Sequence, residues 1–215
     1  MLVLVLGWLF VEYVRTAKRF ADFFELCRNG TPQEVENAIK DGVYINARND
    51  VGLTALMEAA QNNPNPEVTK VLIQAGVNVN VRNAKGWTPL MVASASSNPE
   101  AVVFLINRGA DVNARDNRGW TPLMAAAQNN PNLEVIKVLI QAGADVNAGN
   151  NGQVTSLILA TLKLNPNPEV IEILLKFGAD PKTRDGFGKM AVDYARVSED
   201  LKDTDALRLL EEASQ

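Results

Sequence analysis

Valine, leucine and isoleucine recur at helical spacing in short segments distributed along the chain. In the segment that begins at Val68, Val71 and Leu72 follow at steps of three and four. The segment that begins at Val135 has the same pattern. This spacing places the apolar side chains on one side of a helix and leaves the other side polar. The pattern predicts short amphipathic helices packed on a shared core, and hence a mostly α fold.

The starts and ends of these helices carry recognisable signals. The start signal is an asparagine followed by proline and glutamate, because asparagine caps free backbone N–H groups and proline fits the first helical position. The helix dipole also favours a negative charge at this end. The predicted capping residues are Asn65, Asn98 and Asn167. The end signal is glycine, which easily adopts the left-handed conformation there, at Gly42, Gly76, Gly109, Gly143 and Gly178.

The same six residues, GWTPLM, occur at 86–91 and again at 119–124. The repeated threonine is found at intervals of 34, 33 and 34 positions, and a weaker copy follows 35 positions later. A period of this length is typical of proteins built from stacked repeats. Each repeat contains a loop, a first helix, a turn and a second helix. The five copies begin at Thr54, Thr88, Thr121, Thr155 and Met190.

The repeats predict one elongated domain over residues 19–215, preceded by an apolar segment at residues 1–18. Atypical, charged copies at both ends match the capping units that close a repeat stack. We therefore expect about six units, two of them caps, near residues 19–48, 49–82, 83–115, 116–149, 150–184 and 185–215. The fifth unit has Gln153 in place of the loop glycine and Ser156 in place of proline, so we predict that it is the least stable internal unit.

Composition limits the chemistry that the chain can perform. It contains no histidine and a single cysteine, Cys27, which excludes a Ser-His-Asp triad, a Cys-His pair and a typical zinc site. We therefore predict no catalytic residue, no metal and no cofactor; an enzyme that uses carboxylates alone is the third-ranked alternative. The net charge of -4 without a basic block argues against nucleic acid as a partner.

The repeated motifs resemble those of the ankyrin repeat family. The family's Thr-Pro-Leu-His motif is similar to TPLM at Thr88 and Thr121, and its Gly-Ala-Asp-Val-Asn ending occurs at Gly109 and Gly143. The resemblance implies a solenoid of helix pairs, which is the fold class that we predict. One departure stands out, because the histidine position of the motif holds apolar residues. These residues, which we expect to be core, are Met57, Met91, Met124 and Ile158.

The resemblance also implies a protein-binding surface formed by the loop tips and the first helices. Trp87 and Trp120 are the candidate anchors, since tryptophan is a favoured hot-spot residue. The structural alternative is that these two side chains stack on each other and on neighbouring loops. The complete set of predicted partner-binding residues is Leu53, Trp87, Trp120, Val154, Lys85, Arg118, Gln61, Asn62, Gln128 and Asn129.

No repeat explains the apolar segment from Leu2 to Val14. As a helix it would be about 20 Å long, short of a hydrocarbon core of about 30 Å. Two interpretations stay open, namely a membrane anchor with Arg15, Lys18 and Arg19 on the cytoplasmic side, and a helix that docks or self-associates. The repeats are expected in the cytoplasm. The alternative functions are an engineered ankyrin scaffold and an assembly formed through this segment.

Overall fold

The computed structural model describes residues 21–96, 98–129, 132–162 and 166–215. The predictions about residues 1–18 lie outside this part of the chain. The described helices are α1 (residues 21–29), α2 (Pro32–Lys40), α3 (Ala55–Asn62), α4 (Pro66–Gln74), α5 (Pro89–Ser94), α6 (Pro99–Asn107), α7 (Pro122–Asn129), α8 (Leu133–Gln141), α9 (Ser156–Leu162), α10 (Pro168–Lys176), α11 (Ala191–Ala195) and α12 (Asp205–Ala213). None of these is long and apolar enough to cross a membrane.

The helices form pairs that stack in two layers. The first helices α3, α5, α7, α9 and α11 pack in one row, each against the next. The second helices α2, α4, α6, α8, α10 and α12 pack in a parallel row behind them. Because each unit contacts mainly its neighbours, the core is a continuous strip between the two rows. The predicted mostly α repeat solenoid is confirmed.

The caps lie where the sequence placed them. The side chains of Asn65 and Asn167 accept hydrogen bonds from the N–H groups of Glu67 and Glu169, each at 3.0 Å. Asn98 caps α6 in the same way, through the N–H of Ala101. Each of the five predicted end glycines has a positive φ, between 78° and 92°. These local signals therefore set the helix length, and through it the period of the stack.

The residues that replace the motif histidine form a buried column. Met57 and Met124 are fully buried, and Met91 and Ile158 are each 1% exposed. The leucine that precedes each of them is equally buried, and these leucines belong with Ile158 to the continuous core cluster. The predicted burial of the column is confirmed. Flexible methionine side chains fill the space at three of its four positions.

Asparagine side chains tie the loop of each unit to the next unit. Asn113 donates from Nδ2 to the carbonyl oxygen of Gly143 at 2.9 Å and accepts from the N–H of Asp145 at 2.8 Å. Asn80 and Asn147 make the same pair of bonds one unit before and one unit after. Each bridge satisfies a carbonyl left free at a helix end. The Asn of the Gly-Ala-Asp-Val-Asn ending is therefore a joint between units.

The fifth unit departs from this regularity in its loop. Arg48, Arg82 and Arg115 lie just before the second, third and fourth units, and each donates to a backbone carbonyl about one repeat later, but the corresponding residue just before the fifth unit is Gly149. Its Gln153 has a φ of +59°, where the other loops have glycine. A side chain in this conformation strains the backbone by roughly 1 kcal/mol. The unit thus lacks one hydrogen-bonding arginine and carries a strained residue.

Replacing Gln153 by glycine is expected to stabilise the protein by about 0.5 to 1 kcal/mol, because the strain disappears and only part of it is offset by the greater freedom of glycine in the unfolded chain. The matched control is Gly52→Gln at the corresponding loop position, where φ is +78° and no atom lies nearer than 4.0 Å to an added Cβ. We expect a similar loss there. Urea denaturation measures both; destabilisation by Gln153→Gly would contradict the strain argument.

A second prediction concerns Thr69, which is fully buried in α4. Its Oγ1 has no hydrogen-bond partner among the described residues, whereas Val102, Ile136 and Ile171 fill the corresponding positions of later units. Thr69→Val should therefore raise the free energy of unfolding by about 1 kcal/mol. Thr161→Val is the control and should lower it, because Thr161 Oγ1 donates to the Ile158 carbonyl at 2.7 Å. Equal changes for both variants would refute the prediction.

Candidate functional site

In each loop that precedes a first helix, one asparagine or aspartate side chain accepts hydrogen bonds from two backbone N–H groups. We call this pair of bonds the loop anchor. In the third unit, Asn83 Oδ1 accepts from the N–H groups of Lys85 and Trp87, each at 2.9 Å. In the fourth unit, Asp116 Oδ1 accepts from Arg118 and Trp120 in the same way, each at 2.8 Å. The pair of bonds fixes a tight turn at the loop tip. The same anchor is made by Asn49, Asn150 and Asp185.

The loop anchor determines which side chains of the loop reach solvent. The tip residue two positions after it is exposed, as at Val51, Lys85, Arg118 and Phe187. The ankyrin resemblance places the residue just before the motif threonine outward near the loop tip, but in four units this residue is only half-buried. These residues lie behind the tips, toward the first helices. These half-buried residues are Leu53, Trp87, Trp120 and Val154.

The two tryptophans that are predicted to bind a partner, Trp87 and Trp120, have different environments. The indole N–H of Trp87 donates to Asp116 Oδ2 at 3.0 Å, which links the third loop to the fourth. In the next unit Asn150 stands at the position that corresponds to Asp116, and the Trp120 indole N–H makes no hydrogen bond among the described residues. The Arg118 guanidinium lies 5.3 Å from the centre of the Trp120 ring. Trp87 therefore has a structural role as well, and Trp120 keeps a free donor.

A groove of about 210 Å³ lies between the loop tips and the first helices of the second and third units. Its apolar surface comes from Leu53, Trp87 and Val92. Its polar rim comes from Gln61, Asn83, Lys85 and Arg118. An apolar depression with a few polar groups around it is the usual form of a binding site.

The groove contains half of the predicted binding residues. Leu53, Trp87, Lys85, Arg118 and Gln61 line it together, although they come from three units. The others do not line it, and two of these have structural contacts. Asn62 Nδ2 donates to Glu58 at 2.9 Å, and Asn129 Nδ2 donates to the Ala125 carbonyl at 3.2 Å. The predicted residues outside the groove are Trp120, Val154, Asn62, Gln128 and Asn129.

Sequence reasoning missed a buried carboxylate beside this surface. Glu58 in α3 is 1% exposed and pairs with Arg28 of the first unit at 2.7 Å. It also accepts from Asn62, and Asn49 Nδ2 lies 3.4 Å away. A fully paired carboxylate of this kind holds two units together and is not free for acid–base work. The sequence does contain a signal for this residue, because Glu58 is the one acid at a repeat position that holds Val92, Ala125, Leu159 and Tyr194 in the later units.

The remaining perturbed groups also have structural causes. Burial, aided by the charge of Glu58, raises the pKa of the Cys27 thiol to about 12. The thiol is therefore protonated at neutral pH and is a poor nucleophile. In the closing unit, the Tyr194 hydroxyl donates to Asp185, which raises the pKa of Tyr194 to about 12. Burial alone would raise the pKa of Asp185, but the bonds from Tyr194, Lys189 and Phe187 outweigh it and lower that pKa.

These features define a class: a helical repeat protein with an apolar groove between its loop tips and first helices. A family model described as ankyrin repeats (3 copies) matches residues 23–116 and 108–185. The chain therefore belongs to the ankyrin repeat family. Ankyrin repeats are generally protein-protein interaction modules and are typically not enzymes. A comparison with curated proteins gave no match.

Proposed function

We propose that the chain binds another protein through the groove formed by Leu53, Trp87 and Val92, with Gln61, Lys85 and Arg118 at its rim. The supporting observation is the groove itself, which joins apolar side chains from the second and third units behind exposed loop tips. Apolar surface within a polar rim is the arrangement from which most binding energy in protein interfaces comes.

The same observations disfavour catalysis as the function of this surface. Its lining contains no carboxylate, hydroxyl or thiol. The nearby acid Glu58 is already paired with Arg28. Carboxylate acid–base chemistry and nucleophilic chemistry by a hydroxyl or thiol need such a group with access to substrate. We therefore propose a non-catalytic role for the groove.

Blocking the groove tests this proposal. Gln61 is exposed on α3 and lines the groove, so tryptophan at this position fills the groove without a change of charge. The matched control is Gln74→Trp, at an exposed position at the end of α4. The change in residue type is identical. Proteins captured from a lysate by the wild-type chain should be lost with the first variant and kept with the second.

The choice of glutamine avoids a confusion between binding and folding. Trp87→Ala would remove the bond to Asp116 as well as the groove wall, so a loss of binding would have two causes. The side chains of Gln61 and Gln74 take part in no hydrogen bond among the described residues. Capture that is unchanged by Gln61→Trp, or lost equally with Gln74→Trp, would show that the groove is not the binding surface.

A further inference from the structure

Charge is distributed unevenly between the loop side and the rest of the molecule. The chain as a whole has a net charge of -4. The loop between α4 and α5, residues 75–88, contains Arg82 and Lys85 and no acidic residue. The helix α5 has no charged residue, and the one acid of α3, Glu58, is 1% exposed. Asp116, which contacts Trp87 and Arg118, is 6% exposed. The exposed charge that lines the groove is therefore positive.

The groove itself carries two cations and no anion. Lys85 and Arg118 both line it, and no aspartate or glutamate does. The loops that carry them are adjacent, because the N–H of Asn117 donates to the Lys85 carbonyl at 3.1 Å. The two positive side chains thus belong to neighbouring tips at one side of an apolar depression.

The two cations differ in how far they are already paired in the described part of the chain. Lys85 makes no ion pair there and is exposed. Arg118 is 69% exposed, lies over the Trp120 ring and forms a long ion pair of 3.9 Å with Asp116. Arg82 is occupied by the Arg115 carbonyl. Lys85 is therefore free to pair with a ligand, and Arg118 is exposed enough to join it beside its long pair with Asp116.

We propose that the partner presents an acidic segment, in which a glutamate or aspartate stands beside an aliphatic or aromatic side chain. The apolar side chain lies against Leu53, Trp87 and Val92, and the carboxylate pairs with Lys85 and Arg118. Opposite charges at the rim favour the correct orientation and speed association. This inference rests on the proposed function and specifies the chemistry of its partner.

The groove favours a protein segment over a nucleic acid. Nucleic-acid binding draws its affinity from many phosphate contacts along a basic stripe. Here only two cations flank an apolar surface, and the adjoining helices α3 and α5 contribute no further cation. An acidic peptide matches both features, since it supplies one or two carboxylates together with an apolar side chain.

A random peptide library displayed on phage tests the inference with the complete chain as bait. We expect the enriched peptides to contain aspartate or glutamate next to leucine, tryptophan, phenylalanine or tyrosine. The affinity of one such peptide is then measured for Lys85→Glu with Arg118→Gln. Each exposed charge contributes about 0.2 to 1 kcal/mol, so binding should weaken about tenfold. Added salt should weaken wild-type binding in the same direction.

A variant with the same change of charge on the second helices is the control. Lys137→Glu with Lys176→Gln alters α8 and α10, and it should leave peptide affinity within about twofold of wild type, because screening removes most of the effect of distant charges. A loss of the same size in both variants would indicate that net charge, not the groove, controls binding, and would overturn the inference.

The other outcomes separate this inference from the proposed function. Peptides that depend on the groove, as judged by Gln61→Trp, but carry no excess of acidic residues would overturn the inference alone. Failure to enrich any peptide that this variant displaces would count against both. A single-stranded oligonucleotide that binds as tightly as the enriched peptides, and loses binding with Lys85→Glu and Arg118→Gln, would replace the acidic partner by nucleic acid.

Discussion

Met124→Ala is expected to lower the free energy of unfolding by about 3 kcal/mol. Met124 is fully buried in α7, which packs between α5 and α9. Truncation removes apolar contacts and leaves a cavity that neighbouring helices cannot fill without moving; large-to-small changes of this kind cost about 2 to 5 kcal/mol. The central position adds to the effect, because α7 contributes to the packing on both of its sides.

Denaturation with urea, followed by circular dichroism at 222 nm, measures the change. Met124→Leu is the conservative control and should cost less than about 1.5 kcal/mol, since it nearly preserves volume. Gln141→Ala, at an exposed site on α8, should change little. A loss below about 1 kcal/mol for Met124→Ala would show that the histidine position of the motif is not a packed core position in this chain.

Much of the fold could be predicted from the sequence because its determinants are local. The caps at Asn65, Asn98 and Asn167 depend on one side chain and the next helical turn. Burial of the methionine column follows from its register in the repeat, which the period reveals. Such features recur from one repeat to the next, so each copy supports the interpretation of the other copies.

The features that could not be predicted depend on contacts between units. The pair formed by Arg28 and Glu58 joins residues 30 positions apart, and its partners are set by how the first unit docks on the second. The bond from Trp87 to Asp116 spans 29 positions. The sequence therefore indicated the loop position that faces the groove, but not that one of its tryptophans also supports the neighbouring loop.

Asn63 is another residue whose role depends on a contact between units. Its replacement is the second change for which we predict a large effect on stability. Its side chain is 4% exposed in the turn between α3 and α4. Nδ2 donates to the carbonyl oxygens of Cys27 and Gly30, at 3.0 and 3.1 Å, and Oδ1 accepts from the N–H of Asn65 at 2.8 Å. A single residue thus satisfies two carbonyls at the end of α1 and fixes the turn before α4.

Asn63→Ala should therefore lower the free energy of unfolding by about 2 to 3 kcal/mol, because a buried polar group left without its partner costs about 1 to 3 kcal/mol. The loss should be concentrated in the first unit, where amide hydrogen exchange of α1 and α2 becomes faster than that of α7 and α8. Asn129→Ala is the control, since Asn129 is exposed and donates only within its own helix.

Asn63→Asp distinguishes the two functions of the side chain. A carboxylate still accepts from Asn65 N–H, but it cannot donate to Cys27 and Gly30 and places negative charge beside their carbonyl oxygens. If the bonds to Cys27 and Gly30 provide most of the stabilisation, Asn63→Asp lowers the free energy of unfolding at least as much as Asn63→Ala. Amide hydrogen exchange in α1 then becomes faster in both variants. Stability of Asn63→Asp close to wild type would instead show that the side chain acts on the turn alone, and that the first unit is held to the stack by its apolar core and by the Arg28 to Glu58 pair.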